Sequence, residues 1–258
     1  MRRPITLTAI AVIFAAGIAV GLIRAADDTA APTDGAVAPE AAKALRLMCD
    51  RLEGAKSFTF RARVTWDTSG EHMLQFGAAQ SIALRRPNRL RVEYHGDLSE
   101  RLAWFDGRRF VYLDPVANLY AQLDAGPTLD AAMDTLFDKA GFNFPLSDFF
   151  YADAHRSLSD GTIAGEYIGL DAVEGVKCHH LAFSRETVDW QIWIDAGSAG
   201  LPRKFLMRYK LLDGAPQFSA IFDGWELDVE IPDAHFVPVL ADDAMQIDFI
   251  ASIQQGGR

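Results

Sequence analysis

The chain has 258 residues, half of them apolar, and carries 35 acidic against 25 basic residues for a net charge of −10. That is enough apolar material for one large domain with a substantial core. So acidic a chain argues against nonspecific nucleic-acid binding and against a basic patch for anionic head groups, which both depend on clustered Lys and Arg. An apolar pocket for acyl chains is untouched by this argument.

Arg2 and Arg3 precede Ile5–Ile23, an apolar run broken only by threonine and glycine, which is an export signal. Its 19 residues are also about long enough to span a bilayer. Arg24 sits awkwardly for a small-x-small cleavage site, so two outcomes stay open. Cleavage after Ala26 would leave 22 basic against 35 acidic residues, and retention would leave residues 5–23 as an inner-membrane anchor. No cysteine follows the run to accept a lipid. Residues 1–26 are thus a signal peptide or anchor, 27–38 a polar linker, and 39–258 a single domain in the periplasm. An oxidising compartment allows one long-range disulfide between Cys49 and Cys178. The alternative is two buried thiols acting as small hydrophobes.

In chain order, Ala41, Leu45, Met48 and Leu52 recur at helical spacing, with Pro39 suited to a first turn and Gly54 to a stop. Phe58, Phe60, Ala62, Val64 and Trp66 then alternate with polar residues, a strand with one apolar face. Residues 71–85 return with weaker alternation, and Arg86-Pro87-Asn88 turns into Leu90, Val92 and Tyr94. Asp106-Gly107 between aromatic segments is a strong hairpin signal, followed by a strand over 119–123. Leu129, Ala132, Met133, Leu136 and Phe137 mark a helix from 128 to 140, closed by Gly141, and a shorter one is expected over Leu146–Tyr151. Strands resume at 163–169 and across 176–210, where Val188, Trp190, Ile192 and Ile194 share one face and Trp193 takes the other. Further strands are expected at 217–228 and 245–253. About ten or eleven strands and two or three helices, without a βαβ rhythm, give an α+β fold: one large antiparallel sheet with helices gathered on one face.

Catalytic chemistry is hard to find. His179 and His180 are strand neighbours that point to opposite faces and cannot close on one ion, and the other histidines have no zinc spacing. No metal or cofactor is expected. His180 reads first as a hydrogen-bonded histidine near the core. Ser81, Ser157 and Ser219 lack a Gly-x-Ser-x-Gly setting, and the carboxylates fall in no acid/base motif.

Aromatic content on one face of many strands is what stands above background. It is either a core filled by the helices or the wall of a cavity. In the second case Phe58, Phe60, Val64, Leu90, Val92, Tyr94, Trp104, Trp190 and Ile192 are the expected lining, and Leu129, Met133, Leu136 and Phe137 the inner face of a movable lid. The ligand would be lipid or the acyl chains of a lipoprotein, and no enzyme activity is expected. The rival expectation is an envelope sensor or protein-binding module tethered by its N-terminal segment.

The segments SFTFRARVTWD, LRRPNRLRVEYHGD, WFDGRRFVYLDPVANLYAQLDAGPTLDAAMD, FPLSDFFY and GVKCHHLAFSRETVDWQIWIDAG, followed by LPRKFLMRYK, closely resemble an uncharacterised family of predicted periplasmic proteins, domain-of-unknown-function family 2092. The resemblance runs from about residue 39 to 250. It implies a fold like that of the LolA and LolB lipoprotein carriers, an unclosed antiparallel barrel whose hydrophobic hollow is lidded by helices. It implies no catalytic residues.

Overall fold

The computed structural model describes residues 37–69, 72–141, 144 and 146–249. The export segment, its expected anchor at 5–23 and linker residues 27–36 lie outside the described residues. Val37 and Ala38, the end of the linker, already belong to the fold. Val37 forms a parallel bridge with Gly165, and the Ala38 N–H donates to the Gly165 carbonyl at 2.8 Å.

The chain runs α1 (Pro39–Gly54), β1 (Ser57–Asp67), β2 (Gln75–Arg85), β3 (Arg89–Gly96), β4 (Glu100–Phe105), β5 (Arg109–Asp114), β6 (Leu119–Asp124), α2 (Leu129–Ala140), α3 (Ala154–Ser159), β7 (Ala164–Val173), β8 (Val176–Ser184), β9 (Val188–Asp195), β10 (Pro202–Tyr209), β11 (Gln217–Leu227) and β12 (Met245–Ile247). All twelve strands join one sheet in the order β12-β6-β5-β4-β3-β2-β1-β11-β10-β9-β8-β7. Every pairing is antiparallel except β12 with β6. The edge strands β12 and β7 are not neighbours, so the sheet is unclosed. It consists of two runs of sequential hairpins joined where β1 pairs with β11.

Local chemistry explains the hairpins. Glu174 and Gly175 both have positive φ, 48° and 81°, which lets a two-residue turn match the strand twist. At the β4–β5 turn Gly107 has φ 90°. There the Asp106 carboxylate accepts from the N–H groups of Arg108 and Arg109 at 2.9 and 2.7 Å.

The helices gather on one face, as expected. α1 opens with Pro39 and buries Ala41, Leu45, Met48, Cys49 and Leu52. α2 is capped by Thr128, whose side chain accepts from the Ala131 N–H at 3.2 Å, and ends at left-handed Gly141. The helix expected at 146–151 is only a 3₁₀ turn over Ser147–Phe149. α3, capped by Asp153, is an additional element, too short to show a helical period. One core cluster unites these helices with the inward side chains of the sheet.

The outer face is covered in part by a strap over residues 228–247. Ile231 and Phe236 pack on Ala83, Leu240 packs beside Trp104, Val111 and Leu113, and β12 then pairs along β6. Beyond it Phe249 returns to the helix side, its ring 6.3 Å from Phe110 and 6.5 Å from Tyr112. Of the strand expected over 245–253, the described residues form β12 at Met245–Ile247, and residues 250–253 lie outside the described residues. β5 is consequently buried on both faces at Phe110–Leu113.

The disulfide is corrected: Cys49 and Cys178 are both free and buried. Cys49 sits in the helix-side core, whereas Cys178 lies on the outer face with Val173 and Trp193. The sheet separates them, so the two-thiol alternative holds.

Candidate functional site

The sheet's helix-covered face brings together eight of the nine expected lining residues. Phe58, Phe60, Val64, Leu90, Val92, Tyr94, Trp190 and Ile192 belong to one cluster, none more than 6% exposed. Strand alternation aligns them, and the antiparallel register sets Phe58 opposite Leu84 and Leu84 opposite Leu90 across three neighbouring strands.

Trp104 does not join them. Ala103 and Phe105 are its inward neighbours, so Trp104 faces outward, under the strap. In LAWF four consecutive apolar residues carry no alternation to decide the face, and the strap that makes the outward side apolar has no periodic pattern of its own.

The expected lid is seated on this surface. Leu129, Met133 and Leu136 of α2 are buried in the shared core, while Phe137 is only half-buried. Gly126 with φ 83° and Gly141 with φ 59° flank the helix. Its side-chain attachments run to the segment after it: Asp130 accepts from the Ala152 N–H at 2.9 Å, and the Tyr151 hydroxyl donates to Asp134 at 3.0 Å, while the Leu129 N–H at its start donates to the Pro87 carbonyl of the β2–β3 turn at 2.9 Å. Between the helices, Phe149 meets Phe205 and Phe222 edge-on at 5.5 and 5.6 Å.

Two half-buried arginines fasten the helical layer. Arg86 donates to the Phe150 carbonyl at 3.0 Å and reaches the Leu52 carbonyl near the C-terminus of α1 at 3.5 Å. Arg185 donates to the carbonyls of Ser157 and Leu158 in α3 at 3.0 and 2.6 Å, with its guanidinium over Trp190. Cations at helix C-termini are favoured by the helix dipole, and burial lowers the pKa of both. Within the core, burial pushes the Tyr94 hydroxyl up to about 12, so it stays protonated at physiological pH.

The histidine pair divides as strand geometry requires. His179 shares a 2.8 Å hydrogen bond with the Tyr167 hydroxyl. His180 lies on the outer face, stacked on Trp193 at 4.1 Å and hydrogen-bonded to Gln191 at 2.9 Å. Among the described residues no three His, Cys, Asp or Glu side chains converge as a metal ion requires.

A second concavity was not foreseen. A polar cleft of about 310 Å³ opens on the outer face, lined by Thr59, Arg61, Ser81, Arg91, Glu93, Glu226 and His235 among others. Both of its arginines are paired: Arg91 with Glu93 at 2.6 Å, and Arg61 with Asp223 beside the cleft at 2.7 Å. The alternating polar positions of β1, β2 and β3 could have pointed to its floor. Its wall at His235 comes from the strap.

A family model described as "Predicted periplasmic protein (DUF2092)" matches residues 41–250. No curated protein matches significantly. Among solved structures, an uncharacterized conserved protein from Thermus thermophilus is similar at 12% identity and TM-score 0.44, covering 79% of this chain and 98% of that one. The LolA superfamily protein NE2245 from Nitrosomonas europaea gives 10%, 0.40, 77% and 97%. The lipoprotein LppX from Mycobacterium tuberculosis gives 10%, 0.38, 75% and 99%. At such identities and TM-scores these likenesses carry nothing about activity.

Proposed function

This chain belongs to the DUF2092 family of predicted periplasmic proteins, and from that premise we propose that it is a non-catalytic envelope protein that binds a hydrophobic ligand. The ligand is lipid or the acyl chain of a lipoprotein, held between the sheet and α2. The observation that supports this most is the seam itself. α2 meets the sheet through Leu129, Met133 and Leu136, it is flanked by two left-handed glycines, and its side-chain attachments lie on Tyr151 and Ala152. Once the Leu129 N–H releases the Pro87 carbonyl and Arg86 releases the Phe150 carbonyl, the helix can lift with its following segment and leave an apolar surface behind. An acyl chain would then replace the helix contacts, each buried methylene contributing about 0.8 kcal/mol.

Native mass spectrometry of protein purified from the periplasm without detergent, followed by lipid extraction, tests this. A reproducible co-purifying lipid is the expected result. An empty protein that also fails to bind a fluorescent fatty acid would overturn it. The closed interior favours a second reading, a sensor or protein-binding module tethered by residues 5–23, to which an empty result transfers the weight.

A further inference from the structure

The two rims of the sheet differ in a way that the ligand reading does not use. Strand pairing assigns every loop to one rim or the other. Trp66 lies opposite Phe76 and Phe218, His95 opposite Glu100, Asp114 opposite Leu119, Arg208 opposite Gln217, and Ala164 opposite Ser184. The β1–β2, β3–β4, β5–β6 and β10–β11 loops and the entry to β7 therefore share one rim. That rim carries Met73 and Leu74 at 54% exposure each, Leu98 at 45%, Val116 at 77%, Ile163 at 58% and Leu211 at 70%. Among the described residues, the loops of the opposite rim, such as Arg86–Asn88, Asp106–Arg108 and Glu174–Gly175, expose no large apolar side chain.

The apolar rim is also where the chain enters the domain. Val37 bridges Gly165, close along the chain to Ile163, whose N–H donates to the Ser184 carbonyl at 2.8 Å. Upstream lies the apolar run Ile5–Ile23, separated from Val37 by 13 residues, which reach about 45 Å at most. The polypeptide thus leads from this rim toward its own membrane-directed segment.

We infer that this rim rests on a phospholipid bilayer surface, with the exposed side chains dipping into it. Six exposed large apolar side chains gathered on the loops of one rim, with none among the described residues on the loops of the other, go beyond the scattered exposures of an ordinary surface, and their spread over five loops suits a broad interface rather than one fitted groove. Electrostatics does not supply the contact. Asp97, Asp114, Glu186 and Asp213 sit on the same rim. Of the cations there, Lys210 is paired with Asp189 at 3.0 Å, Arg101 with Asp114 at 3.0 Å and Arg185 is committed to α3 carbonyls, which leaves exposed Arg208 against Asp97, Glu186 and Asp213. Docking is therefore apolar, indifferent to anionic lipid, and weak enough to depend on a tether that raises the local concentration.

The test uses the full chain reconstituted in phosphatidylcholine vesicles, with an environment-sensitive fluorophore on Leu211→Cys or, at the opposite rim, on Arg108→Cys. Acyl-brominated phosphatidylcholine should quench the Leu211 probe at least threefold more than the Arg108 probe. Adding Leu98→Asp and Val116→Asp should bring the Leu211 signal down to the Arg108 level while the thermal melt of the protein stays in place. Equal quenching at both sites, or none at either, overturns the inference. So does a Leu211 blue shift that rises with protein concentration in the absence of lipid, which would assign the rim to a second copy. Quenching that needs phosphatidylglycerol and disappears in high salt overturns the apolar basis. The inference stands apart from the cargo reading: an empty interior with a quenched Leu211 probe removes the cargo alone, and a lipid-loaded protein with a silent probe removes the docking alone.

Discussion

Phe222 and Trp225, three residues apart on one strand, face the same side of the sheet with their ring centroids 5.8 Å apart. Strict alternation would send them to opposite faces. The register between β1 and β11 shifts between Thr59 and Arg61, with Gly224 left over at φ 62°, and this bulge restores Trp225 to the core, where it stacks on Phe60 at 4.2 Å.

Gly224→Ala should therefore destabilise the protein by about 1–3 kcal/mol, the cost of holding an L-residue in a left-handed conformation. The new Cβ would also meet the Arg61 guanidinium at 3.1 Å, which a flexible side chain can relieve. Urea denaturation of both forms measures the difference, and an unchanged midpoint would show that the bulge relocates at no cost.

Phe149→Ala removes a fully buried ring that touches both Phe205 and Phe222. A loss of about 3–5 kcal/mol is expected for a large aromatic truncated in a packed core. A loss below about 1 kcal/mol would mean that the helical layer collapses onto the vacated space.

The two thiols should be silent in the native protein. Both are buried, and burial raises the pKa of each, which withholds the reactive thiolate. A maleimide should label neither at neutral pH and both in denaturant, with the same intact mass before and after reduction. A mass lower by a pair of hydrogens without reductant would contradict the placement of Cys49 and Cys178 on opposite faces.

Stability should fall with acidification in two stages. Burial and then the nearby Arg46 lower the His155 pKa from its ordinary 6.5. The folded state therefore favours neutral His155, and its contribution is present above 6.5 and lost as pH falls through that value toward the folded pKa. Asp171 is depressed by the Ala172 N–H and then the Trp193 indole, and Asp233 by Arg85. These contributions are present above the ordinary carboxylate range and lost below it. Urea midpoints from about pH 8 to about pH 3 should show both declines, and His155→Gln should reduce the first, leaving the share of His235, whose pKa burial also lowers, while sparing the second.

How much of this was legible in the sequence depends on period. Clean alternation in β1 and β9 placed Phe58, Phe60, Val64, Trp190 and Ile192 correctly, and helical spacing placed Leu129, Met133 and Leu136. Trp104 went to the wrong face because its neighbours are apolar on both sides. The strap and the outer cleft it borders stayed hidden because 228–244 has no period at all, and its apolar residues gain meaning only from a surface distant in sequence. The bulge at Gly224 was invisible for a related reason: the dipeptide Asp223-Gly224 reads as a turn, while its partner strand makes it an interruption.

The junction of β1 with β11 sets the order in which this molecule can be completed. β1–β6 can pair as successive hairpins while the chain is still emerging, and β7–β11 can do the same afterwards. The seam between them joins residues some 160 positions apart, such as Arg61 and Asp223, and long loop closures of this kind are slow. Until it forms, β1 is an open edge bearing Phe58, Phe60 and Trp66, the sort of template on which chains stick to one another. A chain emerging amino-terminus first thus carries its most adhesive strand longest without a partner, and it has most need of a holding chaperone between the arrival of residue 67 and that of residue 227.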